Sequence, residues 1–181
     1  MLNYSDTQPF STEVFRYALT EYYGPYNTLL FELFPPGEHF QIVPQYKGPI
    51  TPGSIDFTTI YLVRKRKCPV FFLEIKPFPH LETISTREKA DAQMRERFNT
   101  IIGRNLVIPT LYGISAMGTR FAIYEYLKDT AMLNPPFIVR NPQYVTDVAP
   151  AERWNYELLE PAGEAKFKEL VASIKAMCAE V

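Results

Sequence analysis

Apolar side chains recur at helical spacing near the start of the chain: Val14, Ala18 and Tyr22 stand four residues apart, and Phe15 and Leu19 widen the stripe. The pattern predicts a helix over residues 12–23. Ser11 or Thr12 caps it, Glu13 puts a negative charge in its first turn, and Gly24-Pro25 ends it. Two short apolar runs follow, 28–34 and 39–43, separated by Pro35-Pro36-Gly37, and read as a hairpin. Residues 55–63 and 70–76 give the clearest strands. Both are rich in β-branched and aromatic side chains, and they flank the polar stretch Arg64-Lys65-Arg66-Lys67-Cys68-Pro69.

Ala90, Met94, Phe98 and Ile101 mark a second helix over 86–103, with Ser85 and Glu88 in a capping-box arrangement and Gly103 as the stop. Residues 108–115 and 120–127 read as two further strands around the turn Ala116-Met117-Gly118-Thr119. The proline-rich stretch 134–150 has no periodicity and is expected to run irregularly over the surface. Phe167, Leu170, Val171 and Ile174 predict an amphipathic closing helix over 164–180. This order predicts an α/β (α+β) sandwich around one central mixed sheet. A length of 181 residues fits one domain, with a core over about 12–127 and an extension over 128–181.

One strand carries chemistry. In Val70-Phe71-Phe72-Leu73-Glu74-Ile75-Lys76, side chains alternate between faces, so Glu74 and Lys76 share one face and Leu73 and Ile75 the other. Carboxylate and ammonium groups are rarely buried unless paired. The plain alternative is a solvent-facing edge strand with a cross-strand ion pair. Asp56 opens the preceding strand, 18 residues before Glu74. A register that sets Asp56 opposite Lys76 and Thr58 opposite Glu74, with the turn centred on Arg66, brings all three ionisable groups to one face; a one-residue slip would separate them. Asp56 alone also suits a turn after Gly53-Ser54. Two close carboxylates repel unless a cation lies between them, and oxygen-rich sites of this kind suit Mg²⁺ or Mn²⁺. Such a metal lowers the pKa of bound water, and the lysine orients that water or stabilises developing charge on a phosphodiester.

Gly53-Ser54-Ile55-Asp56 followed by Phe72-Leu73-Glu74-Ile75-Lys76 resembles the D…ExK signature of the PD-(D/E)XK nuclease superfamily. That resemblance implies a restriction-endonuclease-like fold whose core is a helix, three antiparallel strands, a helix and another strand, with catalytic residues on the second and third strands. It covers about two-thirds of the chain. It implies metal ligation by Asp56 and Glu74, catalysis by Lys76, and an acidic residue on the first helix, for which Glu13 is the nearest match and Glu21 the other. It also implies a glutamine on the helix after the ExK strand, met here by Gln93, with Arg95 and Arg97 near enough to contact nucleic acid. Ile55 stands where the motif's proline would be, Pro77-Phe78-Pro79 gives an uncommon exit from the strand, and the C-terminal third has no counterpart in the minimal core.

Charge changes the picture. A net charge of −1 weighs against strong, sequence-independent binding to phosphate backbones, though it allows a local basic patch. Residues 64–67 are ordinarily a solvated hairpin tip. Trp154, Tyr156 and the tyrosines at 22, 23 and 26 are expected to pack rather than stack on bases. His39 and His80 stand alone and are read as structural or surface residues. Cys68 and Cys178, 110 residues apart, are read as reduced structural cysteines, with neither a zinc site nor a disulfide framework. No run approaches the roughly 18 apolar residues of a membrane span, and the start of the chain lacks a secretory pattern, so an intracellular protein is expected. The sequence thus predicts a metal-dependent nuclease acting on nucleic acid, DNA foremost, with a homodimer as an option. The alternatives are a nuclease fold kept as an inactive binding module for nucleic acid or protein, or an effector-like interaction protein of unrelated fold.

Overall fold

Tyr26, Leu29 and Leu30 are buried at helical spacing, and the segment they occupy is helix α1, Tyr23–Leu33, in the computed structural model. The structure describes residues 22–47, 58–103 and 106–180. The strand expected over 28–34 is therefore corrected to helix. Pro25 lies in the first turn, where a missing N–H forfeits no intrahelical bond, so Gly24-Pro25 opens a helix instead of ending one. Of the helix expected over 12–23, all but the last two residues lie outside the described residues.

Strands β1 (Phe40–Lys47), β2 (Thr58–Lys65) and β3 (Cys68–Lys76) form an antiparallel meander. Helix α2 (Ile84–Ile102) carries the chain back, so that β4 (Thr110–Met117) runs parallel to β3, and β5 (Arg120–Leu127) returns antiparallel to β4. Two short strands, β6 (Met132–Asn134) and β7 (Tyr156–Glu157), pair with the outer side of β5, and helix α3 (Pro161–Ala179) follows. The result is an α+β fold around a mixed sheet, seven-stranded among the described residues, of order β1-β2-β3-β4-β5-β6, with β7 also on β5. Pro44 is tolerated in β1 because, among the described residues, that strand pairs with β2 alone.

β3 is central. Phe71, Phe72 and Leu73 are each fully buried, as expected for a strand covered on both faces. On one face Phe72 meets Phe98 of α2 edge-on at 4.8 Å, and Gly113 of β4 admits that ring, since a Cβ there would stand 2.5 Å from it. On the other, Phe34 stacks on Phe71 at 5.7 Å, and Phe167 of α3 meets Phe121 at 5.6 Å. One apolar cluster extends from Tyr26 to Cys178 and includes Trp154, Leu158 and Phe167, so the extension shares the core of the preceding elements. The helix over 84–102 starts without the expected Ser85–Glu88 box. Thr83 is the N-cap residue and makes no side-chain cap bond, while the Thr86 hydroxyl lies 2.5 Å from the His80 carbonyl oxygen and 2.7 Å from that of Thr83. Among the described residues no helix is long and apolar enough to cross a membrane.

The β2–β3 register keeps the expected parity but not the expected offset: Ile60, not Thr58, lies opposite Glu74. Two local features account for the shift. The hairpin closes in a two-residue turn, Arg66-Lys67, next to the pair Lys65–Cys68. Val70 is then an extra residue of β3 between the pairs Arg64–Pro69 and Val63–Phe71. Each moves the pairing by one position, and the two together leave even-numbered positions of β2 on the face of Glu74 and Lys76.

The turn itself is strained. Arg66 and Lys67 have φ of 49° and 70°, a region where a Cβ is unwelcome and which glycine adopts freely. Lys67→Gly is expected to stabilise the fold by about 1 kcal/mol through relief of that strain. Urea denaturation measures it, and an unchanged or lowered midpoint would refute the account.

Candidate functional site

Glu74 and Lys76 occupy the C-terminal end of β3 on the face covered by α2, and they are almost completely withdrawn from solvent, at 1% and 5% exposure. The exposed edge-strand reading is thereby overturned: β3 has β2 on one side and β4 on the other, and the pair lies along one strand, not across two. The Lys76 ammonium sits 3.3 Å from Glu74 Oε1 and donates a short hydrogen bond, 2.5 Å, to Gln93 Oε1. Gln93 reaches this point because Ala90 and Met94, its neighbours in helical phase, are buried against the sheet. The resemblance and the structure thus place Glu74, Lys76 and Gln93 together. Ser115 of β4 lies beside Glu74 in the parallel register and accepts a hydrogen bond from the Trp154 indole at 3.3 Å, so the extension walls this face of the sheet.

Asp56 and Glu13, the other expected metal ligands, lie outside the described residues, as does Glu21. Among the described residues there is no group of three or more histidine, cysteine, aspartate or glutamate side chains arranged to hold a metal ion. The described share of a Mg²⁺ or Mn²⁺ site is a single hard oxygen donor, Glu74, which fits such an ion in type and needs a second carboxylate to complete the set.

The two arginines differ. Arg97 lies one turn beyond Gln93 on the same flank of α2, and its Nε is buried without a hydrogen-bond partner among the described residues. Arg95 lies about 200° round the helix from Gln93 at 3.6 residues per turn. Its guanidinium is committed elsewhere: to Asp91 at 2.8 and 3.1 Å, to the Pro135 carbonyl at 2.9 Å, and over the Phe137 ring at 5.5 Å.

Arg95 belongs to a second buried polar cluster that the sequence reading missed. Asp91, 2% exposed, also accepts from Arg153 Nη1 at 2.5 Å and from the Tyr124 hydroxyl at 2.8 Å. One turn away, Arg87 binds the Ala149 carbonyl at 2.9 Å, the Leu81 carbonyl at 2.8 Å and the Asp147 carboxylate. These bonds strap residues 135–153 onto α2. The signal was the four-residue spacing of Arg87, Asp91 and Arg95; their distant partners had none. Both oxygens of Asp91 accept hydrogen bonds, three at Oδ1 and one at Oδ2, so the cluster holds structure together.

Burial, then the Asp91 charge, holds the Tyr124 hydroxyl well above the ordinary tyrosine range, and burial does the same to Tyr26. Above pH about 10 the unfolded chain releases tyrosine protons that the folded chain keeps, so stability is full below that pH and falls as pH rises. Tyr124→Phe is expected to flatten the fall in Tm between pH ~9.5 and ~11. Equal slopes for the two proteins in thermal melts would show that Tyr124 is not linked to folding.

Comparison of the chain with protein-family profiles, with curated proteins and with solved structures gave no match, so the site is read from its own chemistry.

Proposed function

We propose that the chain is a metal-dependent nuclease of the PD-(D/E)XK type, with a restriction-endonuclease-like core, that hydrolyses phosphodiester bonds in DNA. The observation that carries the reading is the burial of Glu74 and Lys76 at the end of a central strand, with Gln93 bonded to the lysine. Taking a carboxylate and an ammonium out of water costs several kcal/mol per ion, and their attraction repays this only with good geometry and further hydrogen bonds. A purely structural strand would favour apolar residues there. The element order also supports the reading: a helix, three antiparallel strands, a helix and a further strand, with Glu74 and Lys76 on the third strand.

In this reading Glu74 and Asp56 hold a Mg²⁺ or Mn²⁺ ion, with Glu13 as a further ligand. When bound, the ion supplies Lewis-acid stabilisation of the phosphodiester and a more acidic water. Lys76 places its ammonium, steered by the Gln93 carbonyl, where negative charge grows on the phosphoryl oxygens. Arg97, on the same flank, meets an adjacent phosphate. Arg95, bound to Asp91, keeps residues 135–137 in place and takes no part in contacting DNA. The binding-module reading rests on the net charge of −1, which limits non-specific affinity for phosphate backbones.

Purified protein is expected to cut circular single-stranded or plasmid DNA with Mg²⁺ or Mn²⁺, and to stop in EDTA. Lys76→Ala should lower the rate by about a hundredfold or more, the scale of losing one group that stabilises transition-state charge. Absence of cutting by folded protein with either metal would favour the binding module.

A further inference from the structure

The outer edge of β5 is interrupted. β6 pairs with Glu125–Leu127 and β7 with Arg120 and Phe121, which leaves Ala122, Ile123 and Tyr124 with β4 on one side and, among the described residues, no strand on the other. The cause is in the sequence: after Asn134 come Pro135 and Pro136, which have no N–H to donate to a ladder. The backbone groups of β5 that point outward here therefore have no strand to meet, and buried or half-buried backbone groups seek a partner. A cavity of about 440 Å³ opens at this gap, bordered by β5, by Pro135 and by α3. That is the size of ordinary small-molecule sites.

The charges around the cavity are unevenly spent. Arg153 is bound to Asp91, and Lys166 of α3 is bound to both oxygens of Glu169 at 3.0 Å. Two further carboxylates line it, Glu125 and Glu152, and neither has a cationic partner among the described residues. Glu125 stands opposite Tyr112 across the β4–β5 pair, and burial, then that carboxylate, pushes the Tyr112 hydroxyl up to about 12. Asn134, Asn155 and Tyr156 add neutral polar groups to the lining, so Glu125 and Glu152 are the carboxylates of the cavity that no cation of the described residues offsets.

We propose that this gap binds a small organic cation carrying several N–H donors, a guanidinium or primary ammonium compound, with Glu125 and Glu152 as counter-ions and the β5 edge as hydrogen-bond partner. A planar guanidinium offers five N–H groups in a fork that suits carboxylate and carbonyl oxygens. The occupant is a small molecule and not a strand of another protein, because β6 and β7 close the gap at both ends and leave no path for a through-running chain.

Titration of the full chain with agmatine at low salt, followed by calorimetry or NMR, tests this. Saturable one-to-one binding is expected, weakened at least tenfold by Glu125→Gln combined with Glu152→Gln. The neutral isostere butylurea should not bind, and Lys76→Ala should bind agmatine as the natural protein does, which separates this site from the nuclease reading. Glu152 is exposed, so Glu152→Gln alone serves if the double variant unfolds, with a smaller loss expected. Failure of the natural protein to saturate with agmatine, equal affinity in the glutamine variants, or equal affinity for butylurea would each overturn the proposal. Tighter binding of a capped arginine-containing pentapeptide than of agmatine would overturn the small-molecule assignment.

Discussion

Parallel pairing of β3 with β4 is the constraint on which the rest of the molecule turns. It needs a crossover, and α2 supplies it, crossing the sheet between the two strands it connects. With strands on both sides and helices on both faces, β3 becomes an interior strand, and whatever its sequence places at its end is taken out of water. Glu74 and Lys76 are thus buried because of topology. The same helix that buries them brings Gln93 to the lysine.

α2 thus has two polar flanks with different characters. On one, Gln93 meets Lys76 at the end of β3 and Arg97 follows one turn later. On the other, Arg87, Asp91 and Arg95 bind Tyr124, Arg153, Asp147 and the backbone of the proline-rich strap. On the strap flank both oxygens of the buried Asp91 carboxylate are hydrogen-bonded, as interior polar groups generally are. A polar cluster closed in this way rigidifies, whereas Arg97 Nε on the other flank is buried without a hydrogen-bond partner among the described residues. The division separates a closed polar cluster from an open one along a single helix.

Much of this was legible in the residues. The strands around Glu74, the helix bearing Gln93, the pair at 110–127 and the closing helix all follow from periodicity, because each buries a continuous face. The face shared by Glu74 and Lys76 was also legible, since alternation along a strand is independent of register. The offset of β2 was not: it depends on a two-residue turn of Arg66-Lys67, which carries neither glycine nor asparagine to announce it, and on a bulge at Val70. The first described helix was misread because Gly24-Pro25 marks a helix start as readily as a stop. The Asp91 cluster escaped because a helix shows its own spacing but not which residues, 33 and 62 positions on, will meet it.

Pro44 in β1 has a consequence for behaviour at high concentration. A strand with an open side is a template on which other chains can extend a sheet, and long apolar edges seed aggregates. A proline at such a position breaks the row of donors that a docking strand would require. Among the described residues the sheet ends at β1, and Pro44 withholds one donor from any strand that would dock there.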